Sequence, residues 1–502
     1  MNFDAYKLIS TDFSPLPSLH AGDPVIEWVD RFTGVEAVAV LVGSDGEVPA
    51  ALGLDREALA RAGFTGAAGG TLVVPTSEGP LLVAVGAGSL GELDEHALRD
   101  AAANATRATK GKASFGLQVP ELDMDAETLG RVLAEGVLLA RYAFTPLKNG
   151  GKYTALERVQ VRAGRTNATQ AADGTGVARI NARAANIARD LCNAPPSHLT
   201  AVVLAEVAKD LGERFGFEVQ EFDREALIGM RCGGILGVNA GSTQEPRMLK
   251  LHYTPQGTPT GHLGLVGKGI MYDSGGVSLK PSDPMHLLMK MDMGGAASVL
   301  ATFTALRDLG ASAEVTGFLM CTDNMPDGSA YKLGDVLNTR SGLTIEVKNT
   351  DAEGRLVMCD ALTLAVEDKV DAVIDIATLT GAALMALGQL TAALLGNDQE
   401  LIDAVRTSAA NTDEQVWQLP LERKYRKQLD SDIADISNLG GKYAGATTAA
   451  LFLEEFVGQT PWAHLDIAGT MQSDTNDVWR SKGATGFGTR TLIDLAQNFS
   501  RR

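Results

Sequence analysis

The feature that most constrains the fold is an alternation of β-rich and helical segments in the second half of the chain. The β-rich segments end in turns that contain Gly or Asp, and they are HLGLVG, AEVTGFLMCT, LTIEVKNT, DAVIDIATLTG and WAHLDIAG. This alternation predicts a mostly parallel sheet sandwiched by helices, because parallel strands are usually joined by helical crossovers. Ligands of such sheets bind beyond the carboxyl ends of the strands, so we expect the chemistry in these turns.

The first third of the chain shows a similar texture at shorter spacing. AVAVLVG, GTLVVP, PLLVAVGAG and SFGLQVP alternate with Ala-rich helical segments, which predicts a small α/β domain. The polar, Gly-rich stretch over residues 146–176 is the best candidate for a domain boundary. We therefore predict two α/β domains: a macro-like N-terminal domain with its linker over residues 1–165, and a larger domain over 166–502.

The composition of the chain limits the kinds of molecule and compartment that suit it. The chain carries 44 Lys and Arg against 62 Asp and Glu, a net charge of -18, so nucleic acid and anionic membrane surfaces are unfavourable partners unless a local basic patch exists. The longest apolar runs, such as LLVAV, are too short to span a bilayer. The N-terminal segment lacks the features of a signal peptide, which predicts a cytoplasmic protein. Four scattered cysteines are expected to be reduced and mostly buried.

The stretch NTDAEGRL, residues 349–356, sets two carboxylates and a guanidinium on one predicted strand-to-helix turn. Asp351 and Glu353 project to the same side of an extended segment, and they repel unless a cation or a proton lies between them. Arg355 falls in the first predicted helical turn, where free backbone N–H groups also favour an anion. The alternative is a helix cap with a surface ion pair, which an isolated motif of this kind usually is.

Two further turns carry charged residues. GKGIMYDSGGVSLKPS, residues 267–282, holds Lys268, Asp273 and Lys280 among four glycines. Such a charged loop is commonly a solvated face, but the glycines indicate special backbone conformations or the close approach of a ligand. MKMDMGGAA places Asp292 just before a predicted helix, where capping is the simple interpretation.

Taken together, the turns offer hard oxygen donors from separate parts of one predicted sheet. Such donors suit a pair of hard divalent cations, whereas seven histidines without ligand spacing argue against a zinc site made of imidazoles. We expect His464 to be a buried sheet histidine, for which Asp466 is a candidate partner on the same strand face. Met289, considered alone, would be a core residue.

A glycine motif in the first third has two interpretations. Gly86, Gly88 and Gly91 match GxGxxG between a predicted strand and a predicted helix, which is the dinucleotide-binding pattern. The next acidic residue at a strand end, Glu121, lies 30 residues beyond the last glycine, whereas the usual spacing is about 20. A tight turn without a ligand is therefore favoured.

The three charged turns together resemble the leucyl aminopeptidase family of cytosolic dinuclear metallopeptidases. NTDAEGRL is that family's signature and stands here unchanged. Its other blocks are matched in order, by VGKGIMYDSGGVSLKPS, KMDMGGAA, DIATLTGA, SDIADISN and WAHLDIAG. The resemblance covers residues from about 180 to 495, and residues 166–502 are therefore expected to form the catalytic metallopeptidase domain.

The resemblance implies two divalent metal ions per subunit, Mn²⁺ or Zn²⁺. It implies one ligand set of Lys268, Asp273, Asp292 and Glu353 and another of Asp273, Asp351 and Glu353. As an amine ligand, Lys268 would need a strongly lowered pKa, which neighbouring dications can enforce. Metal ions so placed would lower the pKa of the attacking water.

The resemblance also implies roles for neighbouring groups. Arg355 would hold a bicarbonate ion that serves as general base, assisted by backbone near Ala352, Gly354 and Leu379. Lys280 would stay cationic and polarise the scissile carbonyl. The expected substrates are peptides with a free N-terminus, preferably with leucine or another apolar residue in first place.

The family's pocket for the first side chain corresponds to Met289 and to the ATLTG turn with Thr378 and Gly381. A homohexamer is the expected assembly. This chain departs from the family in PSDPMHLLMKMD, which is one residue longer, and in YKLGD, which replaces an arginine-proline version. Two alternatives stay open: a phosphoesterase with the same metal pair, and an inactive oligomeric binding protein with a small-molecule site at the GAGSLG turn.

Overall fold

The computed structural model describes residues 13–149 and 154–501, and these form two compact units. The smaller unit comprises residues 17–186 and 473–482, and the larger one holds the rest of the described chain. The units divide within one helix, after Asn186, whereas the predicted domain boundary lies before that helix, after residue 165; the boundary stays a prediction. None of the helices in the described ranges combines the length and apolar composition that a membrane span requires.

The smaller unit is built on a twisted sheet with helices. Its elements in chain order are β1 (Val25–Trp28), β2 (Ala37–Gly43), α1 (Arg56–Arg61), β3 (Thr71–Val74), β4 (Leu81–Gly88), α2 (Glu95–Ala108), β5 (Ser114–Val119), α3 (Ala126–Ala140), β6 (Arg158–Ala163) and α4 (Ala168–Asn193). Within the described residues the sheet order is β1-β6-β5-β2-β4-β3, and its pairings are parallel except for the edge pair β3–β4. Asp94 and Asp125 cap α2 and α3 by accepting hydrogen bonds from Ala97 and Thr128 backbone N–H groups, which fixes where both helices begin.

The GAGSLG segment begins in the last residues of β4, and packing accounts for its first glycine. A Cβ on Gly86 would lie 1.9 Å from the carbonyl oxygen of Ala67, so only glycine fits there. The carboxylate of Asp45 accepts hydrogen bonds from the Ser89 hydroxyl at 2.9 Å and the Leu90 N–H at 3.0 Å. A carboxylate therefore already lies against the donors that a dinucleotide phosphate would need, which favours the tight-turn interpretation.

The larger unit continues the strand and helix alternation. Its elements are α5 (Ala201–Phe215), β7 (Glu218–Phe222), α6 (Arg224–Gly229), α7 (Gly233–Asn239), β8 (Arg247–Tyr253), β9 (His262–Asp273), α8 (Pro284–Leu287), α9 (Gly294–Leu306), β10 (Glu314–Asn324), β11 (Val336–Asn338), β12 (Thr344–Glu346), α10 (Gly354–Glu367), β13 (Ala372–Ala377), α11 (Gly381–Leu387), β14 (Ala392–Gly396), α12 (Gln399–Asn411), β15 (Val416–Gln418), β16 (Ile436–Ser437), α13 (Gly445–Glu454), β17 (Trp462–Asp466), β18 (Gln472–Ser473), β19 (Gly483–Ala484) and α14 (Thr489–Asn498).

The main sheet of the larger unit has the order β15-β14-β17-β13-β9-β10-β8-β7 within the described ranges. Its central strands β17, β13, β9 and β10 are parallel to one another, and antiparallel pairings join the outer strands β14, β8 and β7. Helices cover both faces. A Cβ on Gly267 would lie 2.7 Å from Ala296 of α9, whereas Val266, on the opposite face of β9, packs in one core with Leu356 and Val357 of α10. The predicted fold class is confirmed.

One predicted strand belongs to a different sheet. LTIEVKNT was expected in the main sheet, but β12 lies in a small sheet with the order β11-β12-β16. The strand covers only Thr344–Glu346, and Lys348 and Asn349 then donate their N–H groups to the Asn438 side chain instead of to a strand. The NTDAEGRL turn therefore follows a strand of the small sheet and not a strand of the main sheet.

Candidate active site

Charged residues from the second half of β9 and from two separate turns meet next to the carboxyl end of β13. Lys268 and Asp273 lie on β9, Asp292 follows a short 3-10 turn over Met289–Met291, and Glu353 stands directly before α10. The carboxylates of Asp273, Asp292 and Glu353 offer oxygens that all lie within 4.8 Å of one another, and these three residues are buried. The sequence prediction that these turns converge therefore agrees with the geometry.

Lys268 is the buried cation of this cluster. Its Nζ lies 2.7 Å from Asp292 Oδ2 and 2.9 Å from Glu353 Oε1, and it donates a hydrogen bond to the Thr378 carbonyl oxygen at 2.9 Å. Room for this side chain depends on Gly354, where a Cβ would lie 2.7 Å from Lys268 Cε. Burial by itself lowers the pKa of Lys268, but the carboxylates of Asp292 and Glu353 outweigh it, and the pKa is raised.

Lys280 joins two further carboxylates. Its Nζ lies 2.8 Å from Asp273 Oδ2 and 2.6 Å from Asp351 Oδ1. The loop between β9 and Lys280 turns at Gly275, whose φ of 88° is in the left-handed region that favours glycine. Burial alone would lower the pKa of Lys280, but Asp273 and Asp351 together raise it above its ordinary value. Lys280 thus remains protonated at neutral pH.

The carboxylates of the cluster are hard to ionise together. Burial, and then the charge of Asp273, raise the pKa of Glu353 to about 6, although Lys268 acts in the opposite direction. Burial likewise raises the pKa of Asp292 and of Asp351. Glu353 Oε2 is buried and has no hydrogen-bond partner among the described residues. Four carboxylates against two ammonium groups leave an excess of negative charge in a desolvated place.

Neither acidic residue next to a helix acts as its cap. Asp292 precedes α9, but its Oδ1 accepts hydrogen bonds from Lys268 Nζ at 2.9 Å and the Thr378 hydroxyl at 2.8 Å. Glu353 occupies the N-cap position of α10 and makes no side-chain cap hydrogen bond. The simple capping interpretation is therefore wrong for both residues, because their carboxylates face the cluster instead.

Arg355 lies in the first turn of α10 with its guanidinium buried. Its Nε and Nη1 groups have no hydrogen-bond partner among the described residues. Burial lowers its pKa to about 10, although Glu353 and Asp466 favour the charged form, so the guanidinium remains a cation at neutral pH. Two unpaired, buried N–H donors on a cation at a helix N-terminus are the donor set that an anion would satisfy.

Several polar residues that the sequence did not single out hold the turns in place. Asn324 ends β10 opposite Asp273, and its Nδ2 donates to Asp273 Oδ1 at 2.8 Å and to the Thr350 carbonyl oxygen at 2.9 Å. Asn438 donates to the carbonyl oxygens of Asn349 and Ala352 at 2.7 and 3.3 Å. The Asn324 contact follows from the parallel register of β9 and β10, which the sequence alone does not give.

His464 and Asp466 do not pair with each other. His464 Nδ1 contacts the carboxylate of Asp375, its partner in the parallel register of β13 and β17, and Trp462 Nε1 donates to the same carboxylate at 2.6 Å. Asp466 instead accepts hydrogen bonds from the N–H groups of Leu379 and Thr380. The candidate pairing of His464 with Asp466 is wrong, because His464 contacts Asp375 on the neighbouring strand and Asp466 contacts the turn after β13.

A cavity of about 310 Å³ joins the cluster to an apolar region. Its polar end is lined by Lys268, Asp273, Lys280, Asp292, Asp351 and Glu353, and its apolar side includes Met289, Met291, Leu384, Ala468 and Met471. Thr378, Leu379 and Gly381 also line it. The predicted residues Ala352, Gly354 and Arg355 are not among the lining residues. The arrangement can hold a cation or an ammonium group at one end and an apolar side chain at the other.

Comparisons with known proteins agree with this geometry. Residues 186–493 match the family model described as "Cytosol aminopeptidase family, catalytic domain", and residues 41–150 match that of the family's N-terminal domain. A relative from Streptomyces avermitilis, "Probable cytosol aminopeptidase", is 43% identical and covers 92% of this chain and 91% of its own. One from Chlorobaculum tepidum with the same name is 44% identical over 74% of this chain and 76% of its own.

Solved structures show the same similarity in three dimensions. The structure titled "Bottromycin maturation enzyme BotP in complex with Mn" has a TM-score of 0.84 and 34% sequence identity. It covers 92% of this chain and 99% of that one. Sequence and structure therefore agree that this chain belongs to the cytosol aminopeptidase family.

Proposed function

We propose that this protein is a metal-dependent aminopeptidase that removes leucine and other apolar residues from the free N-terminus of peptides. The observation that carries the proposal is the cavity in which a buried carboxylate cluster adjoins a side formed by Met289, Met291 and Met471. The negative end attracts the substrate's terminal ammonium group, and the apolar side accepts the first side chain. A polypeptide whose N-terminus is blocked would lack the ammonium group that the negative end of the cavity attracts.

The residues of the cluster fit two divalent cations. Desolvated carboxylates in excess over ammonium groups are destabilised unless cations are added, and Glu353 Oε2 is an unpaired acceptor. Oxygen donors suit Mn²⁺ and also Zn²⁺. The proposed ligands are Lys268, Asp273, Asp292 and Glu353 for one ion, and Asp273, Asp351 and Glu353 for the other. Lys268, whose pKa the carboxylates raise in the absence of metal, would bind as a neutral amine once the ions lower that pKa. When bound, two such ions supply Lewis acid chemistry and lower the pKa of a water molecule.

Lys280 has the position and charge to stabilise negative charge on the substrate. It is partly exposed to the cavity, and Asp273 and Asp351 keep it protonated. A fixed ammonium group beside the scissile carbonyl would be attracted more strongly as that oxygen becomes negative. We therefore propose that Lys280 polarises the carbonyl group of the first residue.

Arg355 is proposed to hold bicarbonate as the proton acceptor. The support is its unpaired Nε and Nη1 donors. The backbone near Ala352, Gly354 and Leu379 is assigned to this site by the family resemblance. Because the guanidinium stays charged, Arg355 would hold and orient the anion, which would supply a proton acceptor when bound. Dependence of kcat on added bicarbonate, lost in Arg355→Lys, would support this role.

Chelation tests the activity. After dialysis against a chelator, hydrolysis of leucine p-nitroanilide should be lost, and Mn²⁺ or Zn²⁺ should restore it. N-acetylated leucine anilide serves as the matched control, since it lacks the terminal ammonium group and should not be cleaved. Full activity in excess chelator would contradict the proposal. Hydrolysis of a phosphate monoester in preference to the peptide substrate would favour the phosphoesterase alternative.

We also propose a cytoplasmic homohexamer. The larger unit exposes large apolar side chains, among them Leu287, Met385 and Tyr443, which are 77%, 86% and 74% exposed. Such side chains mark a protein interface where they form one contiguous patch. Light scattering of the purified chain tests the assembly, and a monomer at micromolar concentration would contradict it.

A further inference from the structure

We propose that the smaller unit binds a phosphate-bearing small molecule of nucleotide size in a basic cavity. This cavity has a volume of about 700 Å³ and is lined by the cationic residues Arg107, Lys110, Arg141, Lys148 and Lys482. No Asp or Glu is among its lining residues in the described part of the chain. The proposal is independent of the peptidase site, since it uses none of the residues assigned there.

Local helix ends do not account for this much positive charge. Arg107 and Lys110 lie at the end of α2, and Arg141 lies at the end of α3, where cations offset the negative end of a helix dipole. Each helix end is equivalent to only about half a negative charge. Two ends therefore neutralise roughly one of the five cations, and a surplus remains in a chain whose net charge is -18.

The walls of the basic cavity are held together by hydrogen bonds, so the cavity is formed before a ligand arrives. Arg107 donates to the carbonyl oxygens of Val478 at 2.5 Å and Arg480 at 2.7 Å. The Ser481 hydroxyl donates to the Tyr142 carbonyl oxygen at 3.3 Å. The segment 473–482 is thereby tied to the ends of α2 and α3.

Three lysines at the basic cavity are available to a ligand. Lys110, Lys148 and Lys482 are exposed, and their ammonium groups have no ion-pair partner among the described residues. The nearby Asp477 is paired with Arg480 at 2.8 Å and also acts on Arg107, so it offsets only part of the positive charge at the cavity. Cations brought together without carboxylates repel one another, and a polyanion would relieve that repulsion.

Size and aromatic lining indicate the class of ligand. A volume of about 700 Å³ falls within the range of small-molecule sites, about 300–1,000 Å³, and a cavity of this form suits a compact ligand better than a polymer. Tyr142 and Phe144 line it and are half-buried, so each offers a ring face or edge to an aromatic ring. Phosphate oxygens would contact the lysines, and a base would contact the aromatic rings.

Isothermal titration calorimetry of the full-length protein with ADP, pyrophosphate and adenosine tests the proposal. ADP should bind, and more weakly as salt rises. The triple variant Lys110→Gln, Lys148→Gln, Lys482→Gln should lose about tenfold or more in affinity, since three charge-assisted contacts are removed. The matched control is Lys424→Gln, Lys427→Gln, Lys442→Gln, which removes three exposed lysines of the larger unit and should leave the affinity unchanged.

The probes distinguish the sources of the phosphate. ADP binding that exceeds pyrophosphate binding supports a nucleotide, and equal binding supports a phosphate site without base recognition. The proposal would be overturned if adenosine bound while ADP and pyrophosphate did not. It would also be overturned if ADP bound the triple variant and the wild type with equal affinity. Binding that is lost in Lys280→Gln and retained in the triple variant would assign the ligand to the peptidase cavity, and would also overturn it.

Discussion

At the scale of the residue, Lys280 is the cation that most directly tests the proposed chemistry. Lys280→Gln should lower kcat by about 10²–10³-fold with little change in KM, because the charge acts on the developing oxyanion. The variant should fold, since Asp273 keeps its hydrogen bonds from Gly275 and Asn324. Steady-state kinetics on leucine p-nitroanilide checks this, with the exposed Lys424→Gln as control. An unchanged kcat would show that Lys280 serves only as a partner for its carboxylates.

Gly354 is a second single residue with a defined geometric role. In Gly354→Ala the new Cβ would lie 2.7 Å from Lys268 Cε and 2.8 Å from its Nζ, so Lys268 must move. A displacement of about 1 Å in an active site can cost about 10²-fold in rate, and we expect kcat/KM to fall by that order. Gly328→Ala is the matched control, because nothing lies within 4 Å of a Cβ there. A folded Gly354→Ala variant with wild-type kcat/KM would refute this account of Lys268.

At the scale of the element, Asp466 connects the end of β17 to the turn after β13. Its carboxylate accepts from the N–H groups of Leu379, Thr380 and Ala468 and from the Thr380 hydroxyl. Asp466→Ala should lower the free energy of unfolding by roughly 2–4 kcal/mol, because buried donors lose their acceptor. Asp466→Asn retains one oxygen and should lose less. Urea unfolding measures both, and equal stability of wild type and Asp466→Ala would contradict the role.

Asp360 joins α10 to α7 and to the loop after β11, and it makes stability depend on pH. Its carboxylate accepts from the N–H groups of Gly234, Ile235 and Arg340, but burial raises its pKa to about 7. The unfolded pKa is lower, near 3.9, so the folded state binds the extra proton between these values. Its contribution to stability is therefore present below about pH 4 and is lost as pH rises to about 7.

The difference in unfolding free energy between wild type and Asp360→Asn isolates this effect, because other groups titrate in both proteins. Relative to the variant, wild type should lose roughly 3–4 kcal/mol between pH 4 and pH 7 and then change little. Urea unfolding at a series of pH values measures the difference. A difference that is flat across this range would mean that the three N–H donors keep Asp360 ionised.

The elements also show how far the sequence could predict the site. The charged turns were predictable, because acidic residues follow β-rich segments whose carboxyl ends share an edge. The contact of Asn324 with Asp273 and that of His464 with Asp375 could not be predicted. Both depend on which strands pair and in what register. The place of β12 was missed because only three residues of LTIEVKNT form a strand, and alternation alone does not report strand length.

At the scale of the whole molecule, the net charge of the chain does not predict the charge of an individual cavity. The net charge of -18 predicts repulsion of polyanions, yet five cations line one cavity of the smaller unit. The fold class followed from the alternation of segments. The division of the compact units within α4, and the return of residues 473–482 to the smaller unit, could not be read from composition, because they depend on contacts between distant segments.

Anomalous diffraction from crystals grown with Mn²⁺ tests the central claim most directly. We predict two peaks about 3.5–4 Å apart, the separation of two-metal hydrolases. Both should lie within coordination distance of Asp273 and Glu353, one also near Lys268 and Asp292 and the other near Asp351. No peak at this cluster under conditions that support activity, or peaks only elsewhere on the chain, would contradict the assignment of a two-metal aminopeptidase site.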